Sequence, residues 1–208
     1  MTHDKLNLLF KDYFALYTPP LSKGVALLEI LLNPTLKKGE LDLVFNLLCG
    51  EIAPYLQDIS STEEKAEVFR LVLFDKLKFK IENLTDDKQL SLKHTVRLRS
   101  TTPMFMGVLY LLLAHNFNTP AFLGLSGGKI FVYFEKEYNF PNIYIEINNN
   151  GSFTTESEQY ARGINLSLQT LNNKQIIRYL LSNLIYLYTK QNAADKKQFI
   201  QNLLDNYL

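Results

Sequence analysis

Apolar positions recur every three to four residues over both ends of the chain, and the period changes only in its centre, so the pattern predicts a helical frame around a small sheet. Leu6, Leu9, Phe10, Tyr13, Phe14 and Tyr17 have helical spacing, and Thr18-Pro19-Pro20 stops the run. Lys23 to Leu32 and Glu40 to Leu56 repeat the signal, separated by Asn33-Pro34 and Lys38-Gly39, with Gly50 and Pro54 weakening the later part. Ser61-Thr62-Glu63-Glu64 has the S-x-x-E arrangement in which hydroxyl and carboxylate each satisfy a free backbone N–H, and it predicts a helix to about Leu77. Thr85-Asp86-Asp87 caps a shorter helix through about Val96, and Pro103 opens another to about Asn116.

After Asn116 the residues turn β-branched and aromatic. Ala121 to Leu125, Lys129 to Glu135 and Asn142 to Ile147 are separated by Ser126-Gly127-Gly128 and Asn139-Phe140-Pro141, and Asn148-Asn149-Asn150-Gly151 follows, which predicts a small antiparallel sheet. Helical spacing returns for Asn173 to Lys190 and Ala193 to Tyr207, a hairpin joined at Gln191-Asn192. The polar stretch from Gly163 to Leu171 is the expected seam, dividing residues 1–163 from a helical pair over 164–208. One hairpin cannot form a solenoid alone, so docking of the tail on the rest of the chain is expected.

Composition excludes more than it selects. A chain of 208 residues with 47% hydrophobic content supplies its own core and needs no disulfide or metal to hold it together. Twenty-two basic residues against twenty-one acidic ones give a net charge of +1, which provides no general field for nucleic acid. The longest apolar run, Met104 to Ala114, is about half of what a bilayer span requires, and the first residues carry charges where a secretory leader is continuously apolar. The expectation is a cytoplasmic protein with no membrane or nucleic-acid partner. The single cysteine, Cys49, reads as a small buried apolar residue. His3, His94 and His115 lack ligand spacing, so neither a metal nor another cofactor is expected. The rings Phe131, Tyr133, Phe134, Tyr138, Phe140 and Tyr144 are expected to pack the sheet onto the helix that contains Met104, rather than to stack on bases.

Several blocks resemble one family. Arg99-Ser100-Thr101-Thr102-Pro103-Met104-Phe105-Met106-Gly107-Val108-Leu109-Tyr110 is similar to the R-R-G-I-P-I-x-L-S-x-L-Y helix start of the SirB-type transglutaminase-like proteins. Gly127-Gly128-Lys129-Ile130-Phe131-Val132 falls on that family's P-G-H-F-L-L strand, and Tyr144-Ile145-Glu146 falls on its F-I-D strand. Glu67 to Phe79 resembles the helix ending in L-F-E-x-L-G-F, and Asn172 to Leu184 resembles the opening of the family's first tetratricopeptide-like tail helix. The resemblance runs from about Gly24 onward and implies a bacterial origin.

In the wider transglutaminase-like superfamily a Cys at a helix start works with a His and an Asp on neighbouring strands. The helix terminus and an imidazolium favour thiolate, and the carboxylate orients the imidazole. The resemblance puts the Cys position at Thr102-Pro103, the His position at Lys129 and the Asp position at Glu146. Loss of a nucleophile or base from an established hydrolase can cost on the order of 10⁶ in turnover. The expected protein is therefore a non-enzymatic interaction or regulatory protein of α+β class, with a helical N-terminal half, a transglutaminase-like helix and sheet, and a C-terminal helical hairpin. A ligand in the vestigial pocket, or an unusual hydrolase or acyltransferase using Cys49 or Thr102, are the alternatives. Lys129 either pairs with Glu146 or points into water; if fully buried, the pair would make loss of one partner cost about 3 kcal/mol. Tyr179, Tyr186, Tyr188 and Tyr207 are the candidate surface for an unidentified protein partner, and the sequence fixes no oligomeric state.

Overall fold

The computed structural model describes residues 2–134, 142–155, 157–158 and 167–205. The chain begins with α1 (His3–Ala15), α2 (Leu21–Leu32) and α3 (Glu40–Ile52), followed by a 3-10 turn (Ala53–Leu56). Next come α4 (Thr62–Arg70), a π-helical turn (Leu71–Lys76), β1 (Lys80–Ile81), a 3-10 turn (Asp87–Leu90), α5 (Leu92–Leu98), β2 (Ser100–Thr101) and α6 (Pro103–Asn116). Strands β3 (Phe122–Ser126), β4 (Lys129–Phe134) and β5 (Ile143–Glu146) lead through a 3-10 turn (Ile147–Asn149) to β6 (Ser152–Thr155) and β7 (Gln169–Leu171). Two helices, α7 (Asn173–Lys190) and α8 (Ala194–Asp205), complete an α+β protein.

Local chemistry explains where the helices depart from simple periodicity. Pro54 has no N–H to donate, and α3 gives way there to a 3-10 turn. The Ser61 hydroxyl oxygen accepts from the Glu64 N–H at 3.2 Å, while its own proton goes to Glu64 Oε2 at 2.7 Å, so the carboxylate grips the capping hydroxyl. The helix expected to run to Leu77 widens after Arg70, where the Leu77 N–H reaches back to the Val72 carbonyl and Arg70 pairs with Asp75 at 3.0 Å. The segment after Thr85 forms two short helices, one capped by Asp86 in a box with Gln89 and the next by the Ser91 hydroxyl, which accepts from the His94 N–H.

The chain divides into two compact units. One comprises Met1–Phe45, Leu84–Leu98 and Asn172–Leu208. In it α7 buries Ile176, Ile177, Leu180, Leu181 and Leu184 against α2 and α8, with Phe10 and Tyr13 of α1 in the same core. The approach of α2 to α7 is close: a Cβ on Gly24 would lie 2.5 Å from Ile177 Cγ1 and 2.6 Å from the Tyr13 hydroxyl. Asn172 and Gln175 form a capping box at the start of α7, and the Asn173 side-chain amide donates to the Pro19 carbonyl at 2.9 Å. Asn192, in the left-handed region at φ 54°, turns the chain from α7 into α8.

The other unit comprises Asn46–Asn83 and Arg99–Leu171. Its sheet has the order β6-β5-β4-β3-β7 with every neighbouring pair antiparallel, and β1 pairs with β2 in a separate parallel ribbon. Helix α6 is apolar on all sides and buried along nearly its whole length. It lies against β3 and β4, where Gly107 leaves room for Leu123 and Ile130.

Candidate functional site

Side-chain alternation along β4 decides what each candidate residue can meet. Leu123 and Ile130 point at α6. Lys129, Phe131 and Tyr133 therefore project from the opposite face, and the register places Glu146 across from Phe131 and Tyr144 across from Tyr133. Lys129 and Glu146 are thus diagonal neighbours, with Lys129 Nζ 2.8 Å from Glu146 Oε1. Side-chain exposures of 54% for Lys129 and 19% for Glu146 make this a half-wet pair, worth no more than about 1 kcal/mol, and not the buried one whose loss would cost more. Gly127 and Gly128, at φ 55° and 78°, form the turn that delivers Lys129 to the start of β4.

The rest of that face is aromatic. Phe131, Tyr133 and Tyr144 form a buried cluster with Phe122 and Leu168, with ring centroids 5.3 Å apart for Phe122 and Tyr133 and 6.1 Å apart for Tyr133 and Tyr144. The Tyr133 and Thr170 hydroxyls share a hydrogen bond of 2.6 Å. This corrects the expectation that the rings pack onto α6. The helix takes the aliphatic face, and among the described rings only Phe134 has its parity, because successive residues of a strand point to opposite sides. Tyr138 and Phe140 lie outside the described residues.

At the start of α6, Thr102 is buried and its hydroxyl oxygen accepts from the Phe105 N–H at 3.4 Å, with Pro103 in the first turn. Thr102 is committed to capping, on a helix that meets the other face of the sheet from Lys129 and Glu146. Cys49 lies on α3, buried, and the loss of solvent pushes its thiol up to about 11. At neutral pH such a thiol is roughly one part in 10⁴ thiolate. Among the described residues no group of three His, Cys, Asp or Glu side chains is placed to hold a metal ion.

Arg99 was not legible as a structural centre. It adopts φ 55°, donates from Nη2 to both Glu51 carboxylate oxygens at 2.7 Å and lies 5.1 Å above the Phe79 ring. Among the described residues, no hydrogen-bond partner meets its buried Nη1 or the buried hydroxyl of neighbouring Ser100. Glu51 is 48 positions away in sequence, beyond any local signal.

The candidate tyrosines separate by helical position. Tyr179 and Tyr186, two turns apart on α7, are exposed, and Lys190 Nζ sits 4.4 Å over the Tyr186 ring. Tyr188 faces inward and is almost fully buried, so it is not part of the outer face of α7. Its hydroxyl donates to Asp87 Oδ2 at 2.7 Å, and burial, reinforced by Asp87, holds the phenol well above its usual range. Tyr207 lies outside the described residues.

Residues 44–183, more than half of the chain, match the family model described as the transglutaminase-like superfamily. The matched segment begins inside α3, includes α6 and the whole sheet, and ends within α7. No curated protein and no solved structure matches the chain.

Proposed function

The chain belongs to the transglutaminase-like superfamily, and we propose that it is a non-enzymatic member, a protein-interaction or regulatory protein built on a degenerate SirB-type core. One observation carries this reading: the start of α6, where the superfamily chemistry calls for an activated thiol, presents the capping Thr102 and Pro103, while the single thiol of the chain is buried and held protonated. The positions that correspond to base and orienting acid carry Lys129 and Glu146, which engage each other as an ion pair. An ammonium already paired with a carboxylate offers no lone pair to a Thr hydroxyl. Burial of Met104, Phe105 and Met106 weighs against a ligand pocket at the same helix start.

The partner is a cytoplasmic protein of a bacterial cell, recognised through the exposed rings on the outer face of α7, within a tetratricopeptide-like tail. Tyr179 and Tyr186 combine apolar area with a polar tip, the combination enriched at the centres of protein interfaces. Truncation is a poor test because α7 supplies much of the core of its unit. The informative comparison is capture from cytosol by the full-length chain and by the Tyr179→Ala/Tyr186→Ala double variant, with retained proteins identified by mass spectrometry. A specific partner lost in the double variant supports the reading. Retention that is equal in both, or absent from both, contradicts it.

A further inference from the structure

A cavity of about 360 Å³ lies within the unit built from α1, α2, α5, α7 and α8. Its apolar walls are Leu31, Leu32 and Pro34 at the end of α2, and Phe199 and Ile200 of α8. The His3 ring stacks on Phe199 with centroids 4.2 Å apart and planes at 29°, which adds a second flat surface. The polar rim holds two carboxylates, Asp87 and Asp195, against one ammonium, Lys196. The wall is thus apolar and aromatic, and the rim carries an excess of negative charge.

The chain's own ammonium shows what the rim accepts. Lys196 Nζ lies 3.4 Å from Asp87 Oδ2 and 5.0 Å from the centroid of the Tyr188 ring, so a carboxylate and a π-face converge on one cation. Tyr188 holds Asp87 in place through the same oxygen at 2.7 Å. Lys196 is a weak occupant, with a side chain 64% exposed and a long contact, and such a pair is displaced at little cost. Burial alone would raise the Asp87 carboxyl, but the Tyr188 hydroxyl and the Lys196 charge outweigh it and keep the group below its usual range. A cation beside Asp87 thus favours its carboxylate, whether that cation is Lys196 or a ligand head in the same place.

The geometry points to a binding site for a small organic cation, a free amine or guanidine on an apolar or aromatic body. The cationic head takes the place of Lys196 between Asp87 and Tyr188, and the body lies among Leu31, Leu32 and Phe199. Anionic ligands meet two carboxylates at the rim and are rejected.

The test uses phenethylammonium as probe, titrated into the full-length protein by calorimetry and by chemical-shift mapping, alongside 2-phenylethanol and 3-phenylpropionate, which keep the ring and change the charge. The expected order is cation over alcohol by about tenfold, with the acid weakest, and Asp87→Asn is expected to weaken the cation by about tenfold. Lys196→Ala removes the competing ammonium from an exposed position and is expected to strengthen binding roughly threefold or more, a gain that a damaged fold would not produce. Alcohol binding equal to the cation, a Lys196→Ala affinity no higher than that of the unaltered chain, or no perturbation at Tyr188 and Phe199 on saturation would each overturn the assignment.

Discussion

Glu29 is a carboxylate at 1% exposure that accepts from the Asn33 side-chain amide at 2.7 Å, the Ser91 hydroxyl at 2.7 Å and the Leu92 N–H at 2.8 Å. Three donors replace the water it loses, and through two of them α2 fixes the start of α5. Glu29→Ala leaves those donors unmet, and the expected cost is about 3 kcal/mol by urea denaturation. Glu29→Gln, whose amide must turn an N–H toward one of them, is expected to cost about 2 kcal/mol. A loss within about 0.5 kcal/mol for the Ala variant would show that the network adds little. An acid inside the apolar run Ala26–Leu32 is visible in the sequence, but its partners near residue 91 are not, because nothing local marks a hydrogen bond spanning 62 positions. The same limit applies to Tyr188, whose inward rotation depends on Asp87, 101 positions earlier. Burial of Cys49, by contrast, was readable from its apolar neighbours alone.

Among the elements, the helices were legible because their apolar stripes and caps are local, and their boundaries failed only where a proline, a π-turn or a second cap intervened. Strands β6 and β7 were not anticipated. Ser152–Thr155 and Gln169–Leu171 are short, largely polar outer strands, and their reason for being extended lies in β5 and β3, the strands they border. Helix α6 poses the opposite difficulty: it is apolar all round, so periodicity gives a helix without saying which side meets the sheet. Two glycines test that packing. A methyl group at Gly107 would strike Leu123 Cδ1, so Gly107→Ala is expected to destabilise by about 1–3 kcal/mol even though Ala is the better helix former. Gly50, in α3 with no atom of the described residues within 4 Å of its Cβ position, should gain about 0.5–1 kcal/mol on the same change. Thermal and urea unfolding of both variants check the pair, and a stabilised Gly107→Ala would contradict the close approach of α6 to β3.

At the scale of the whole molecule, the helices before Phe45 and those after Asn172 belong to one unit, and the sheet with α6 belongs to the other. Thr102, Lys129 and Glu146 are proposed as the positions of superfamily chemistry on a resemblance and not on spacing or charge. Sequence order alone could not tell that Lys129 and Glu146 lie on the aromatic face while Thr102 caps a helix on the aliphatic one, because that distinction is set by strand register. On the proposed reading, no thiol, hydroxyl and base among the described residues are placed to act together, and absence of catalysis is its central claim. Its most direct test is amine incorporation into a glutaminyl peptide, followed by mass spectrometry for the unaltered chain, Cys49→Ala and Thr102→Ala side by side. The account predicts incorporation no faster than in buffer, identical for all three chains. Incorporation above buffer by the unaltered chain that disappears in either variant would contradict it.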